Sequence, residues 1–256
     1  MASKDTVQKT VMVALGLCIV CSLVVSTAAV MLKPAQVENK ALDRKKNILS
    51  AAGLLEEGKS VEEQFALVTT KVVDLRTGQF TTDVDPAQYD QEKAAKDPDF
   101  SAPISADIDQ AKINRLEYYS LVYLIEKNGQ VDKYILPVRG YGLWSTMYGF
   151  IALESDANTV VGLGFFSHGE TPGLGGEIDN PNWISQWPGK LVYKDGKPEL
   201  GLIKGKVNPN SANADYQVDG LSGATLTANG VTNLVQFWLG ENGFKPFLNN
   251  VKAGGA

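Results

Sequence analysis

The sequence has 256 residues and a formal net charge of −5. This length suits one domain of ordinary size with an additional segment, and the acidic balance argues against nucleic acid, which selects basic surfaces. Cys18 and Cys21 both lie in an apolar N-terminal stretch, and His168 is the one histidine. The rest of the chain therefore has no thiolate for a disulfide or a zinc site, and we predict no metal site.

Residues 11–32 are a stretch of 22 residues without a charge. At a rise of about 1.5 Å per residue, a helix of this length crosses a hydrocarbon core of about 30 Å. We therefore predict one transmembrane helix after a short tail, residues 1–10. A cleaved signal peptide is the alternative, although its apolar region normally has only about 7–15 residues. Cys18 and Cys21 share one face of this helix, where we expect contact with a partner helix.

Basic residues flank the apolar stretch unequally. Lys4 and Lys9 precede it, and a larger group follows it: Lys33, Lys40, Arg44, Lys45 and Lys46. By the positive-inside rule this excess would keep the following domain in the cytoplasm, but long domains translocate largely regardless of charge. The charge count alone leaves the topology open.

Residues 33–110 are predicted to be a helical and acidic connecting region. Apolar residues recur at helical spacing with a basic face over residues 36–55, which indicates an amphipathic helix. Ser60 and Glu63 have the spacing of a capping box at the start of a short helix. Residues 81–109 are rich in Asp, Pro and Ala and have no sustained period, which is typical of a solvated excursion.

Strand patterns dominate the next part of the chain. Residues 119–126 and 133–138 flank Asn128-Gly129, a strong hairpin signal. Residues 149–154 and 160–166 predict two more strands. We expect an α+β fold over residues 111–256, an antiparallel sheet with packed helices, preceded by the transmembrane helix.

Beyond Gly230 the apolar period changes to that of a helix. Trp238 falls on the apolar face of this helix and is predicted to lie in the core. Trp183 and Trp187 are predicted to serve either packing or contact with another subunit.

Residues 219–227 read Asp-Gly-Leu-Ser-Gly-Ala-Thr-Leu-Thr, a turn leading into this helix with Ser222 as the predicted N-cap. The start of a helix offers unpaired N–H groups and a positive dipole end, which favour a phosphate group. Gly223 and Ala224 leave space for that group, and Thr225 places a hydroxyl beside it. A capped helix after a turn, without any ligand, accounts for the same residues.

Residues 168–175, His-Gly-Glu-Thr-Pro-Gly-Leu-Gly, follow the strand at 160–166. Three glycines and a proline predict a shaped loop whose backbone groups can approach a planar ring closely. The loop is neither a phosphate-binding Walker loop nor a dinucleotide fingerprint. Ser222 lies outside a Gly-x-Ser-x-Gly elbow, which argues against a serine hydrolase. His168 is a candidate base or a residue that orients its neighbours, and we assign no catalytic residue.

The motif Asp-Gly-x-Ser-Gly-Ala-Thr at 219–225 resembles the acceptor motif of proteins modified by a dedicated flavin transferase. In that family the enzyme moves FMN from FAD onto the last Thr or Ser of the motif as a phosphoester. The resemblance implies Thr225 as the covalent FMN acceptor. It assigns the cofactor's surroundings to the neighbouring residues Asp219, Ser222, Gly223, Ala224 and Thr227, with Asp219 assisting recognition or attack.

The string His-x-Glu-Thr-Pro-Gly-Leu-Gly, followed by Ser-Gly-Ala-Thr, resembles the FMN-binding subunits of two related membrane complexes. These are the C subunit of the Na+-translocating NADH:quinone reductase and the G subunit of the Rnf electron-transport complex. The resemblance covers nearly the whole chain, and Arg-Gly-Tyr-Gly-Leu-Trp-Ser at 139–145 is more similar to the quinone-reductase protein. It places the flavin ring near a further set of residues: Leu143, Trp144, His168, Glu170, Thr171, Gly173 and Leu174.

This resemblance implies an FMN-carrying electron-relay subunit of a membrane Na+-translocating NADH:ubiquinone oxidoreductase, which passes electrons between neighbouring subunits and is not catalytic alone. It implies other membrane subunits and a flavin transferase as partners. It also implies a single-pass protein of the bacterial inner membrane with a periplasmic large domain. The alternatives are the Rnf protein, a tethered scaffold subunit without flavin, and an extracytoplasmic flavin reductase acting on soluble substrates.

Overall fold

The computed structural model describes residues 6–254, and the chain divides into two compact units after Asp43. The helices are α1 (Val7–Ala51), α2 (Val61–Phe65), α3 (Gln91–Ala94), α4 (Pro181–Ile184), α5 (Thr225–Trp238) and α6 (Lys245–Lys252). The strands are β1 (Val68–Asp74), β2 (Gln79–Thr81), β3 (Ser101–Pro103), β4 (Arg115–Glu117), β5 (Tyr119–Lys127), β6 (Gln130–Tyr141), β7 (Thr146–Glu154), β8 (Val160–Ser167), β9 (Tyr193–Lys194), β10 (Lys197–Pro198), β11 (Gly201–Leu202) and β12 (Gln217–Val218). Short 3-10 turns span Gly175–Asp179 and Ala214–Tyr216.

Helix α1 contains the apolar stretch. Among the described residues it is the one helix that is long and apolar enough to cross a membrane, judged by length and composition. The sequence predicts separate helices over residues 11–32 and 36–55, whereas α1 runs without a break from Val7 to Ala51 and includes Pro34. A proline removes one backbone donor from a helix, and here the helix continues through it.

A six-stranded antiparallel sheet forms the centre of the second unit, in the order β2-β1-β5-β6-β7-β8. The predicted hairpin between β5 and β6 is confirmed. Asn128 and Gly129 have φ values of 54° and 77°, the left-handed pair that a two-residue hairpin turn requires. The α+β prediction is confirmed as well.

The glycine of this turn provides a test of backbone strain. Because Gly129 has φ of 77°, we expect Gly129→Ala to lower the free energy of unfolding by about 1–2 kcal/mol. Gly164 in β8 is the matched control, since a methyl group there meets no atom within 4 Å and its φ is not in the left-handed region. Gly164→Ala should stay within about 0.5 kcal/mol of wild type in urea unfolding. Equal losses in the two variants would contradict this account of the turn.

The sheet is covered on both faces, which explains the long apolar runs in its strands. Val122 and Leu124 belong to the cluster that includes the apolar face of α5, and Leu121 and Tyr123 to the cluster that includes Ile48. Successive strand residues point to opposite faces, so both sets are buried. Helix α5 is thereby held against the sheet along its length, which positions its first turn.

Trp183, Trp187 and Trp238 are all buried. Trp238 is confirmed as a core residue, and its indole N–H donates to the Arg139 carbonyl oxygen at 2.7 Å. Trp183 and Trp187 pack edge to face with ring centroids 5.5 Å apart. Packing within the domain therefore accounts for both.

The sheet takes two strands, β1 and β2, from residues 33–110, and neither strand is predicted from the sequence. The solvated excursion predicted over residues 81–109 is also partly wrong. It contains α3, whose Gln91 donates from Nε2 to the buried Glu117 carboxylate at 2.7 Å. This contact joins two residues that are distant in the sequence, so no local sequence pattern predicts it. The proposed division of the chain at residue 110 stays a prediction.

Candidate functional site

Thr225 is the first residue of α5, and its side chain is exposed. The prediction of Ser222 as the N-cap is wrong, because Ala224 occupies that position and no side chain caps the helix. The reason is a tight turn: the N–H of Ala224 donates to the Leu221 carbonyl oxygen at 3.2 Å, and Gly223 has φ of 71°. The helix therefore begins two residues later than predicted, and an exposed hydroxyl lies at its uncapped N-terminus.

The Glu170 carboxylate joins three segments of the chain. It is 5 % exposed. It accepts the Thr227 hydroxyl at 2.5 Å and the backbone N–H groups of Leu143 and Trp144 at 3.1 and 3.0 Å. These donors belong to the first turn of α5 and to the loop after β6, while Glu170 itself follows β8. Both motifs identified in the sequence therefore meet at one buried carboxylate.

Two glycines make room for this carboxylate. A methyl group on Gly142 would lie 2.5 Å from Glu170 Oε1, and one on Gly175 would lie 2.8 Å from its Oε2. Gly230 in turn lets α5 approach the loop, since a methyl group there would lie 2.6 Å from the Tyr141 carbonyl oxygen. Such short separations do not accommodate a side chain, so the packing of the three segments depends on glycine at these positions.

Burial alone would raise the pKa of the Glu170 carboxyl. The hydrogen bonds from the Thr227 hydroxyl and from the backbone N–H groups of Trp144, Leu143 and Ser145 outweigh it, so the pKa lies below its ordinary value. A carboxyl whose pKa is lowered by folding stabilises the folded state when the pH is above its ordinary pKa. This stabilisation is lost as the pH falls through the pKa of the folded state.

The pKa of Glu170 leads to a prediction about acid stability. We expect Glu170→Gln to be less stable than wild type at pH 7, and the difference to shrink as the pH falls below about 4.5, the ordinary pKa of a glutamate. In acid the wild-type carboxyl becomes neutral, like the amide. Urea unfolding of both proteins at a series of pH values measures this difference. A difference that is independent of pH would show that folding does not lower the pKa of Glu170.

The loop after β8 presents Leu174. The Thr171 carbonyl oxygen accepts the N–H groups of Leu174 at 3.1 Å and Gly176 at 2.9 Å, and Gly173 has φ of 75°. Leu174 remains 44 % exposed, and a methyl group on Gly223 would lie 3.0 Å from its Cδ2. The loop and the turn at 221–224 are therefore in contact.

Exposed apolar side chains surround this region. Their exposed fractions are 38 % for Leu143, 64 % for Trp144, 44 % for Leu174 and 59 % for Leu226. We call these four side chains the apolar rim. They lie on the three segments that meet at Glu170, and Leu226 directly follows Thr225.

His168 uses both of its ring nitrogens. The N–H of Glu170 donates to Nδ1 at 3.1 Å, and Nε2 lies 2.7 Å from Asp179 Oδ2. Because Nδ1 is an acceptor, the proton of a neutral imidazole lies on Nε2 and is donated to Asp179. Of the two roles that the sequence left open, this arrangement favours orienting the loop over acting as a base.

Asp219 holds the segment before α5 against the rest of the domain. Its Oδ1 accepts the Val207 N–H at 2.8 Å, its N–H donates to Gln186 Oε1 at 3.1 Å, and its carbonyl oxygen accepts the Trp183 indole N–H at 2.9 Å. These bonds account for an aspartate at this position by structure alone. A role of Asp219 in recognition by the flavin transferase or in attack on the FMN phosphate stays a prediction.

Comparison with known proteins places this geometry in a family. Residues 142–240 match the FMN-binding domain family. Over its full length the chain is 54 % identical to the C subunit of the Na+-translocating NADH-quinone reductase of Pseudomonas aeruginosa, 100 % of which is covered. It is 48 % identical to the C subunit of the Vibrio vulnificus enzyme, with 100 % of this chain and 99 % of the relative covered.

The chain belongs to the C-subunit family of Na+-translocating NADH-quinone reductases.

The folds agree with this membership. The crystal structure of Shewanella oneidensis NqrC superposes with a TM-score of 0.77 at 34 % identity, and 84 % of this chain and 99 % of that chain are covered. The C subunit of the Parabacteroides distasonis enzyme superposes with a TM-score of 0.66 at 28 % identity, covering 85 % and 96 % of the two chains. These relatives favour the quinone reductase family over the Rnf protein, the alternative left open by the sequence.

The structure of this C-subunit family member also adds residues to the candidate site that the sequence did not predict. Leu226 belongs to the apolar rim, and a large apolar residue between two threonines at a helix start was the available signal. Gly142 and Gly175 are visible in the two glycine-containing segments, but their proximity to Glu170 depends on the fold. Asp179 had no signal, since it lies beyond the motif. Among residues 6–254, no group of three or more His, Cys, Asp or Glu side chains could hold a metal ion.

Proposed function

We propose that this chain is the FMN-carrying electron-relay subunit of a membrane Na+-translocating NADH:ubiquinone oxidoreductase, with FMN linked to Thr225 as a phosphoester. The exposed Thr225 hydroxyl at the uncapped N-terminus of α5 carries the proposal. The names of the relatives and the match to the FMN-binding domain family support it.

The residues present fit this cofactor. The first N–H groups of α5 have no acceptor within the helix, and the helix dipole is positive at this end, so a phosphate on Thr225 is stabilised there. Gly223, with φ of 71°, and the small Ala224 leave the approach to the hydroxyl open. Transfer of FMN from FAD would join the Thr225 oxygen to phosphorus, break the diphosphate bond and release AMP, while the hydroxyl proton is lost.

The apolar rim would bind the flavin ring. Leu174 contacts the turn at 221–224, and Leu143 and Trp144 lie on the loop tied to Glu170. When bound, FMN supplies one- and two-electron redox chemistry, while the protein supplies position and environment. The exposure of the rim would leave the ring accessible to a neighbouring subunit, as a relay requires.

The remaining parts of the proposal concern location and partners. Helix α1 would anchor the chain in the bacterial inner membrane, with the large domain in the periplasm. The other subunits of the complex would give and receive the electrons, and a flavin transferase would attach the cofactor. The phosphoester would keep the flavin from being lost to the periplasm and leave its ring chemically unmodified.

The test uses the full chain, produced with and without a flavin transferase and then denatured. We expect in-gel flavin fluorescence and an added mass of one FMN only with the transferase, and peptide mapping should place that mass on the segment that contains Thr225. A colourless chain from cells whose transferase modifies a second, known acceptor protein would overturn the proposal in favour of a scaffold without flavin. Rapid reduction of soluble substrates by the flavinylated chain alone would favour the flavin reductase alternative.

A further inference from the structure

The oxygens of Glu170 are occupied by groups of the protein. Oε1 accepts the N–H groups of Leu143 and Trp144, and Oε2 accepts the Thr227 hydroxyl. The carboxylate also packs closely against Gly142 and Gly175. Because the oxygens of Glu170 already accept hydrogen bonds from the protein, Glu170 affects a ligand through the segments that it joins.

Those segments carry the groups that the proposed function uses. Thr227 is in the first turn of α5, two residues after Thr225. Leu143 and Trp144 are the part of the apolar rim on the loop after β6, and Leu174 lies four residues after Glu170. Because the three segments come from distant parts of the sequence, their relative placement depends on a contact that links them.

The strength of this contact follows from its chemistry. Hydrogen bonds to a charged group are roughly twice as strong as those between neutral pairs, and those of Glu170 are shielded from water. Each donor would lose its buried partner if the carboxylate were removed. The bond from Thr227 is the link that reaches α5. It couples the loops at 142–145 and 168–175 to the turn at 221–224, which we call the acceptor turn because it precedes the proposed FMN acceptor.

We propose that Glu170 and Thr227 are positioning residues: their hydrogen bond fixes the acceptor turn of α5 against the loops at 142–145 and 168–175. This bond sets the orientation in which a flavin on Thr225 is held. The statement about flavin orientation rests on the proposed function, whereas the placement of the turn does not.

The first test needs no flavin. In the full chain produced without a flavin transferase, Thr227→Val removes the hydroxyl and keeps the shape of the side chain. We expect faster hydrogen exchange in peptides that cover residues 142–145 and the first turn of α5, because local opening no longer breaks this bond. Thr227→Ser retains the hydroxyl and should exchange like wild type. Unchanged exchange in Thr227→Val would overturn the placement of the turn. If that variant does not fold, Thr227→Ala, which also lacks the hydroxyl, is measured in its place, with the same expected and contradicting results.

The second test uses the same variants carrying FMN. We expect Thr227→Val to lose most of the flavin's visible circular dichroism, which arises from a ring held in one orientation, and Thr227→Ser to keep it. Thermal unfolding of each variant separates this loss from a general loss of stability. A folded Thr227→Val with wild-type dichroism would overturn the statement about flavin orientation. A wild-type chain without covalent FMN would instead contradict the proposed function, while the exchange measurement would still decide the placement of the turn.

Discussion

Thr225→Ala is expected to abolish covalent attachment of FMN, and Thr225→Ser is expected to retain it. Transfer requires a hydroxyl oxygen at the exposed first position of α5, and alanine has none while serine does. Alanine also has the highest helix propensity, so the helix should still form. The measurement is intact mass and in-gel flavin fluorescence of denatured chains, each produced together with the flavin transferase.

Ser222→Ala is the matched control for this prediction. Ser222 carries the other exposed hydroxyl of the motif and caps no helix, so its removal should leave the domain folded. Any FMN that this variant carries must be on a different residue, and we expect peptide mapping to assign it to Thr225. A Thr225→Ala chain that still carries FMN after denaturation would show that the acceptor lies elsewhere.

The buried ion pair of Arg139 and Glu117 should have the largest effect on stability. Their side chains are 10 % and 0 % exposed, and Arg139 Nη1 and Nη2 reach the two oxygens of Glu117 at 3.1 and 2.7 Å. Removing one member of a buried pair leaves the other charge without compensation. We therefore expect Arg139→Met to lower the free energy of unfolding by about 3–5 kcal/mol, measured by urea denaturation.

The double variant distinguishes charge from packing. Arg139→Met combined with Glu117→Met removes both charges, and we expect it to recover much of the stability that the single variant loses. Lys59→Met, which breaks the exposed pair with Glu56, is the comparison and should unfold close to wild type. If the double variant loses as much as the two single variants together, the two charges are not coupled.

This ion pair also bears on the site. The Arg139 guanidinium lies 5.3 Å from the centre of the Trp238 ring, and the Arg139 carbonyl oxygen accepts the indole N–H. Trp238 is the last residue of α5, and Thr225 is the first. The last turn of α5 is thus held by Arg139 and its first turn by Glu170. Arg139 is a member of a segment that was singled out for its sequence resemblance, yet its partner Glu117 was not predicted.

Some elements of the fold were predictable from the sequence and others were not. The hairpin at Asn128-Gly129 and the short helix capped by Ser60 were predictable because each depends on a few adjacent residues. Strand β1 was not predicted, because it pairs with β5, and β2, α3, β3 and β4 separate the two strands along the chain. The start of α5 was placed too early, since the choice of Ser222 relied on cap preference and the turn closed by Leu221 and Ala224 decided otherwise.

The sequence by itself determined three things about this protein: an apolar stretch long enough to cross a membrane, an antiparallel sheet built from hairpins, and a turn over residues 219–225 that leads into a helix. Each follows from composition, spacing or turn chemistry over a short length of chain. Only the tertiary structure decided that Glu170 joins Thr227 to the loop at 142–145, and that Glu117 is the partner of Arg139. The physical reason is that a buried charge is stable only where donors from distant segments converge on it, and that convergence is a property of the packed fold.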